Sequence, residues 1–509
     1  MDRSLAEGVL FTDQYQLTMA QLYWQQGIHE RPARFEHFFR RYPDYGRHQA
    51  GYCIAAGHAW FAEWARTARF DRQSLDALRS HRTDDGHRVF DDGFLAWLDD
   101  VGGFDALDIQ AVPEGRVVHA NVPITVVEGP LALAQVIETP LLNQMNFQTL
   151  IATKASRVRQ AARGGGVLEF GMRRAADRGA NAASRAALVG GADHSSNVGV
   201  SHLVGFPPQG THAHALVQVY MATGQGEIAA FRAYAEGYPD ACLLLVDTID
   251  TLRVGVPNAI TVFRELRERG HEPVGIRLDS GDLAHLAVLS ARQLDEAGFP
   301  DTSIVLSSGL DELAIWQIRN QVRDEAPAYG LDAAHVIDRL VYGVGTRMAT
   351  SDGDPNLDGV YKLVALQSED GTTWDPAIKV SDTPAKTVNP GRKRVLRLYG
   401  PRGTAEADLM AHADEEITAP VHLNHHSQAG VDRSLEEVTQ VESLLEPFDR
   451  GPVDQHEAIE VARARRDADL DRLDPGVRRL VNPHVYHVSL SDHIAQQKTR
   501  LVQQARAGT

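Results

Sequence analysis

The sequence predicts an α/β protein whose central part forms a parallel sheet or barrel. Between residues 167 and 344, short apolar runs alternate with amphipathic segments, at spacings near 30 residues that are typical of βα units. Polar residues follow almost every run. Because the carboxyl ends of barrel strands converge on the face that holds the active site, we expect these polar motifs to meet at one face.

The elements follow in order along the chain. Apolar runs predict strands over 167–170, 203–206, 243–246, 274–278, 304–306 and 340–344, with amphipathic helical segments that include 257–270, 282–298 and 311–325. Ahead of them, the pattern predicts a helix over 12–26, a strand over 33–39, short strands over 112–128 and a helical stretch from 130 to about 163. After them, residues 376–400 are basic and strand-like, an acidic region contains His422, His425 and His426, and the tail beyond 434 is predicted to be largely helical.

Bulk composition narrows the class of protein. The 509 residues are enough for two or three domains, and the net charge of -17 disfavours nucleic acid and anionic membranes as partners. Only two cysteines, Cys53 and Cys242, are present, so a disulfide framework is not expected. Because no signal peptide and no apolar run of about 20 residues is apparent, we expect a cytoplasmic protein.

The His212-Ala213-His214 motif is the first chemical signal. On a strand, His-x-His places two imidazoles on the same side, which suits a metal pair as easily as a nucleophile, or else two ordinary polar residues. Asp247 directly follows a buried run and could orient a histidine on a neighbouring strand; the structural alternative for this segment is a helix N-cap.

The segment 275–282 carries a sharper signal. Arg277 lies inside an apolar run, where a guanidinium needs an anion such as a carboxylate, a phosphate or a structural Asp partner. Asp279 and Asp282 next to Ser-Gly also suit ribose hydroxyls or Mg²⁺. The turns 307–309 and 343–346 follow successive strands and favour phosphate binding over simple tight turns.

Taken together, these segments resemble nicotinate phosphoribosyltransferases. The matching stretches include LEFGMRRA (168–175), GTHAHAL (210–216), GIRLDSGDL (275–283), YGVGTRMATSDGDPNLDGVYKLVA (342–365) and IKVSDTPAKTVNPGRKRVLRLY (378–399). The resemblance runs in order from about residue 10 to 400 and is loose beyond that. Two stretches, 193–197 and 40–52, depart from the family's usual pattern.

The resemblance implies an irregular (β/α) barrel of the type II phosphoribosyltransferase kind, with a second α/β domain built from both chain ends. The expected boundaries are an N-terminal domain over 1–150 completed by about 366–430, a catalytic barrel over 151–365 and a helical extension over 431–509. It also implies a homodimer with shared active sites. The implied reaction joins nicotinate to phosphoribosyl pyrophosphate, coupled to ATP, with Mg²⁺ as cofactor and no metal held by a dedicated protein site.

Roles for individual residues come from the same resemblance. His214 matches the histidine that ATP phosphorylates, and Asp247 the carboxylate that orients it. Nicotinate would be bound by Phe170, Thr211 and Arg277, together with a Tyr15 that the same resemblance assigns to the partner subunit. Phosphoribosyl pyrophosphate would be bound by Arg173, Asp279, Ser308, Gly309, Gly345 and Thr346.

Three other interpretations stay open at this level. The chain could use nicotinamide or quinolinate, it could be a metal-dependent hydrolase built on His212 and His214, or it could be a non-catalytic nucleotide sensor. Composition alone would make Tyr15 and Phe170 core aromatics and Arg173 a surface charge.

Overall fold

A computed structural model describes residues 4–381, 383, 386–428 and 430–507. Residues 382, 384 and 385 of the basic motif 378–399 lie outside the described residues. The chain divides into two compact units, one made of residues 1–150 and 356–509 and the other of residues 151–355. No described helix combines the length and the apolar character that crossing a membrane would require.

The helices and strands are numbered in chain order. The helices are α1 (Ser4–Glu7), α2 (Gln14–Gln25), α3 (His58–Thr67), α4 (Arg72–Ser80), α5 (Asp92–Val101), α6 (Leu131–Val136), α7 (Glu138–Ala162), α8 (Gly179–Gly190), α9 (Val198–Val204), α10 (His214–Ala222), α11 (Glu227–Gly237), α12 (Val256–Glu268), α13 (Leu283–Glu296), α14 (Glu312–Glu325), α15 (Ala333–Asp338), α16 (Thr346–Ala349), α17 (Gln455–Arg472) and α18 (Asp492–Ala507). The strands are β1 (Pro32–Phe39), β2 (Cys53–Ile54), β3 (Asp108–Ala111), β4 (Val117–Val118), β5 (Thr125–Pro130), β6 (Gly166–Glu169), β7 (His194–Ser195), β8 (Leu243–Leu245), β9 (Gly275–Leu278), β10 (Ser303–Ser307), β11 (Leu340–Val344), β12 (Gly359–Gln367), β13 (Trp374–Pro376), β14 (Lys393–Tyr399), β15 (Ala405–His412), β16 (Val421–His425), β17 (Asp432–Leu435), β18 (Gln440–Ser443), β19 (Glu446–Pro447) and β20 (His487–Leu490).

The second unit contains the predicted parallel sheet. Its strand order is β7-β6-β11-β10-β9-β8, and every pairing is parallel. Within the described residues β7 and β8 form the two edges, so the sheet is an open half-barrel. Side chains such as Leu244, Ile276, Val305 and Val344 are buried because helices cover a parallel sheet. The predicted α/β class and barrel-type parallel sheet are therefore confirmed, with the barrel present as an open half-barrel.

One predicted strand is wrong. Residues 203–206 lie at the end of α9 and beyond it, not on a strand. The Asn197 side chain caps this helix by accepting a hydrogen bond from the Val200 N–H, and Gly205 ends it at a positive φ of 72°. The strand that pairs with β6 at this edge of the sheet is instead the two-residue strand β7, and no apolar run in the sequence indicates it.

The first unit contains two larger sheets and the small β2–β4 pair. One sheet has the order β13-β12-β1-β5-β3-β19, and its apolar core includes Phe35, Phe94, Val127 and Tyr361. The other has the order β17-β16-β20-β15-β14-β18, and its core includes Leu398 and Leu409.

The segment 431–509 differs from the helical extension expected from sequence. It contains α17 and α18, but also four strands, of which three join the sheet that holds β14 and β15 and one pairs with β3. These strands are short and rich in charged residues, so an alternating apolar pattern does not reveal them.

Candidate active site

His214 and Asp247 form a hydrogen-bonded pair in the second unit. Asp247 lies two residues beyond β8 with a side chain only 1% exposed, and His214 is the first residue of α10. The His214 Nε2 to Asp247 Oδ1 distance is 3.0 Å. Because a carboxylate only accepts, Nε2 carries the hydrogen, and the lone pair of a neutral His214 is on Nδ1.

The second oxygen of Asp247 is anchored at the end of the neighbouring strand. Oδ2 accepts the Asp279 N–H at 3.0 Å and the Ser280 hydroxyl at 2.6 Å. Three donors from two different segments therefore converge on one buried carboxylate. This holds the carboxylate in a fixed orientation toward His214.

Arg277 is the centre of a second set of contacts at the same strand ends. Its Nε donates to Ser307 Oγ at 2.8 Å, its Nη1 to Thr211 Oγ1 at 3.1 Å and its Nη2 to Asp279 Oδ1 at 2.9 Å. The Ser307 hydroxyl also donates to Asp279. Each of the three guanidinium nitrogens thus has a fixed hydrogen-bond partner. Among these partners only Asp279 carries a negative charge to offset that of Arg277.

Phe170 lies beside this guanidinium. The Arg277 Cζ is 5.4 Å from the centre of the Phe170 ring, within the range of a cation–π contact. The ring also packs on Gly343, where an added Cβ would come within 2.7 Å of Phe170 Cδ2. A larger residue at 343 would displace the ring, which is a physical reason for glycine there.

His212 has a different role from the one that His-x-His suggests. Neither His212 nor His214 lies on a strand, because the chain is irregular up to Ala213 and helical from His214. The His212 Nε2 accepts the Leu245 N–H at 3.1 Å, and burial lowers its pKa. Its lone pair is therefore used by the backbone, so His212 does not support a metal pair.

Two of the acidic residues near the site are helix caps. Asp250 accepts the Arg253 N–H and Asp282 accepts the His285 N–H, each at the start of a helical segment. The N-cap alternative is thus correct for Asp250. Asp282, which sequence grouped with Asp279 as suited to ribose or Mg²⁺, is also a cap, whereas Asp247 and Asp279 contact the cluster around His214 and Arg277.

The predicted phosphate-binding turns follow the adjacent parallel strands β10 and β11. Ser308 and Gly309 have φ values of 90° and 64°, and a serine held in that region is strained. Gly345 and Thr346 begin α16. Arg347 and Asp311 tie the two turns together through a 2.7 Å ion pair.

Two predicted site residues take no part in the contacts described above. Arg173 is exposed in the short 3-10 helix Met172–Arg174 that follows β6. Tyr15 lies on α2 in the first unit and is 49% exposed, and burial together with nearby Glu138 and Asp13 raises its pKa. The contacts described above do not include Tyr15.

Sequence reasoning assigned no role to several polar residues at strand ends that support the site. Ser280 and Ser307 orient Asp247 and Arg277. Glu169, the residue before Phe170, is buried and accepts from the Gly171 N–H and from Ser184 and Ser195, the last at 2.5 Å. Ser195 belongs to the atypical stretch 193–197, which therefore packs into this network. The available signal was a polar residue at the last position of an apolar strand, as at Glu169 and Ser307.

Comparison with known proteins places this geometry in a family. A Bacillus subtilis (strain 168) protein named nicotinate phosphoribosyltransferase is 42% identical over 410 residues, which cover 80% of this chain and 77% of that protein. The chain belongs to the nicotinate phosphoribosyltransferase family. The model of the family's N-terminal domain matches residues 10–146, and that of its C-terminal domain matches residues 392–498. The likeness to nicotinate phosphoribosyltransferases thus extends well past residue 400, where sequence motifs alone were loose.

Solved structures agree with the family assignment. Human nicotinic acid phosphoribosyltransferase is 30% identical, with a TM-score of 0.77 over 96% of this chain and 99% of that one. A nicotinate-nucleotide pyrophosphorylase from Pyrococcus furiosus has a TM-score of 0.65 over 92% of this chain and 97% of that one, at 19% identity, and shows the shared fold.

Proposed function

We propose that this chain catalyses ATP-coupled synthesis of nicotinate mononucleotide and pyrophosphate from nicotinate and phosphoribosyl pyrophosphate, as a step of NAD salvage. The observation that carries the proposal is that Asp247 and Asp279 join His214 and Arg277 into one cluster at adjacent strand ends. A group able to accept a phosphoryl and a group able to bind a carboxylate thus share one site. The family membership given above supports the same reaction.

Nicotinate would bind against Arg277 and Phe170, with its carboxylate at the guanidinium and its ring on the phenyl face. The guanidinium fork suits a carboxylate, and the ring 5.4 Å from it offers a flat apolar face for a pyridine. The Thr211 hydroxyl, 3.1 Å from Nη1, would complete the carboxylate's surroundings. This arrangement selects nicotinate over nicotinamide, because a neutral amide would leave the partly buried guanidinium less well paired.

In the transfer step the pyridine nitrogen attacks C1 of the ribose, and the C1–oxygen bond breaks as pyrophosphate leaves with the electron pair. Positive charge develops on the sugar, so alignment and electrostatics matter more than acid–base catalysis. Arg173 and Asp279 would bind phosphoribosyl pyrophosphate, and the turns with Ser308, Gly309, Gly345 and Thr346 would bind its 5′-phosphate.

The residues present fit Mg²⁺ as an ion brought mainly by the substrate. Among the described residues, no group of three or more His, Cys, Asp or Glu is arranged to hold a metal, and Mg²⁺ commonly keeps waters and substrate phosphates beside one or two carboxylates. Asp279, with a side chain 30% exposed, is the carboxylate we expect to contact it. Bound there, Mg²⁺ would offset the charge of the leaving pyrophosphate.

ATP would phosphorylate His214 on Nδ1. The Nδ1 lone pair forms a bond to the γ-phosphorus while the bond to ADP breaks, and ADP leaves with that electron pair. The ring becomes cationic, and Asp247 stabilises it through the Nε2 hydrogen. Water later cleaves the N–P bond and releases phosphate, which links ATP hydrolysis to product formation.

The test is product formation from nicotinate and phosphoribosyl pyrophosphate, with and without ATP, for wild type and His214→Ala. We expect ATP to stimulate the wild type and to have no effect on His214→Ala. Nicotinamide and quinolinate assayed in parallel should give little product. A chain that is equally active with nicotinamide, or that forms no nicotinate mononucleotide, would contradict the proposal.

We propose further that the active enzyme is a cytoplasmic homodimer in which Tyr15 acts on the partner's site. Tyr15 is half exposed on α2, so its ring is available to a second chain. Mixing Tyr15→Ala and His214→Ala chains, each without ATP-stimulated activity, should restore about a quarter of that wild-type activity, because random pairing makes half of the dimers mixed and one of the two sites in a mixed dimer is intact. Activity that is not regained in verified heterodimers would place Tyr15 in the site of its own chain or outside it.

A further inference from the structure

A cavity in the first unit has a lining that is unusual for this acidic chain. It has a volume of about 630 Å³ and lies between Ser381, Thr387, the loop that follows β16, and α18. Its cationic lining residues are Lys498, Arg500 and Arg506, and no described lining residue is Asp or Glu. In a chain with 68 acidic and 51 basic residues, such a lining creates a local positive potential.

Lys498 is the innermost cation of this cavity. Its ammonium donates to Asn389 Oδ1 at 2.7 Å, to the His426 carbonyl at 2.8 Å and to the Thr387 carbonyl at 3.5 Å, all neutral acceptors. Neighbouring Lys393, in contrast, pairs with the Glu36 carboxylate at 3.1 Å. Burial and the charge of Lys393 lower the pKa of Lys498 to about 8. Burial therefore destabilises the charged form of Lys498, and an anion bound in the cavity would offset that destabilisation.

Another part of the lining suits an uncharged organic group. The rings of His425 and His426 stack with centres 4.7 Å apart, and burial lowers the pKa of both, that of His426 to about 4. The His425 Nδ1 accepts the N–H groups of Ser427 and Gln428, so its Nε2 carries a hydrogen and can donate. The apolar side chains Val431, Leu490 and Val502 continue this wall.

We propose that this cavity binds a small phosphorylated organic molecule, with its phosphate at Lys498, Arg500 and Arg506 and its organic part against the histidine pair. The volume falls within the range of about 300–1,000 Å³ that is common for small-ligand sites. The site is built from residues of the first unit alone. It does not depend on which pyridine the cluster around Arg277 uses.

The experiment measures how fast Lys498 reacts with an amine-acylating reagent, using peptide mass spectrometry on the full-length protein. The chain has only six lysines, so each can be followed separately, and exposed Lys379 serves as the internal control. Adenosine monophosphate is the probe, with adenosine, inorganic phosphate and potassium chloride at equal ionic strength as comparisons. We expect adenosine monophosphate to slow acylation of Lys498 at least fivefold, while Lys379 stays unchanged and adenosine has no effect.

Two variants show whether the protection arises in this cavity. Arg500→Ala and Arg506→Ala should each raise the concentration of adenosine monophosphate needed for half protection at least fivefold. Arg292→Ala removes one exposed helical arginine from the other unit and should leave that concentration unchanged. Absent protection, equal protection by chloride or by inorganic phosphate, or protection that neither cavity variant weakens would each overturn the proposal. Thermal melting of every variant checks that it is folded.

Discussion

The most decisive prediction concerns Asp247→Asn, which keeps the shape of the side chain and removes its charge. Three donors converge on the Asp247 carboxylate, namely His214 Nε2, the Asp279 N–H and the Ser280 hydroxyl. An amide has one accepting oxygen and one donating NH₂. If the amide oxygen stays with Asp279 and Ser280, the NH₂ faces His214 Nε2 and stabilises the tautomer that carries its hydrogen on Nδ1. In that tautomer Nδ1 has no lone pair with which to attack ATP. If the amide is reversed, the NH₂ faces the Asp279 N–H.

The magnitude follows from these contacts. The reactive tautomer of His214 carries its hydrogen on Nε2. With that tautomer, either orientation of the amide places its NH₂ against another buried donor, at a cost of about 1–3 kcal/mol. Loss of the charged acceptor for a ring that becomes cationic adds about 1.5–3 kcal/mol. The sum of about 2.5–6 kcal/mol corresponds to a phosphorylation rate about 10²- to 10⁴-fold lower.

The assay is a single-turnover measurement of phosphoryl transfer from labelled ATP to the protein. His214→Ala sets the background, and Asp250→Asn is the matched control. Asp250 is a nearby helix cap that accepts the Arg253 N–H, and asparagine caps as well as aspartate. A folded Asp247→Asn protein that is phosphorylated within threefold of wild type would refute the assignment of the tautomer and of the accepting atom.

Three further predictions rest on other contacts. Arg277→Ala should raise the nicotinate KM roughly 30- to 5,000-fold, because losing one partner of a charge pair costs about 2–5 kcal/mol, and His214 should still be phosphorylated. An unchanged KM would remove Arg277 from nicotinate binding. Ser280→Ala should slow phosphorylation about 10- to 100-fold, because a hydrogen bond to a charged group contributes about 1.5–3 kcal/mol, and it should leave the nicotinate KM within threefold; an unchanged phosphorylation rate would show that the hydroxyl does not orient Asp247. Burial lowers the pKa of His37 to about 4, so the folded protein keeps it neutral while the unfolded chain protonates it near pH 6.5. Stability should therefore fall by about 2–3 kcal/mol from pH 7.5 to pH 4.5, and urea unfolding of His37→Gln should show a smaller loss; equal losses would contradict this.

Much of the fold could be predicted because local pattern reflects the physical environment of a strand. Continuous apolar runs mark strands buried on both faces, and five of the six predicted strands of the half-barrel lie where these runs predicted them. The wrong prediction at 203–206 also comes from relying on local pattern. A short apolar run between an asparagine cap and a glycine stop also suits a helix, and only the tertiary structure shows that the polar pair His194–Ser195 is the strand that pairs with β6.

The sequence by itself determined which chemical groups are present and that they follow strand ends, because residue type and strand period are local properties. It also determined the family, since long ordered stretches match it. The tertiary structure decided which of those groups meet. It separated Asp247 and Asp279 from the caps Asp250 and Asp282, and it engaged the lone pair of His212 with the backbone. These four aspartates look alike in sequence, because each lies at or shortly after the end of a strand. Hydrogen bonding depends on distances of about 3 Å and on direction, which only the packed chain supplies.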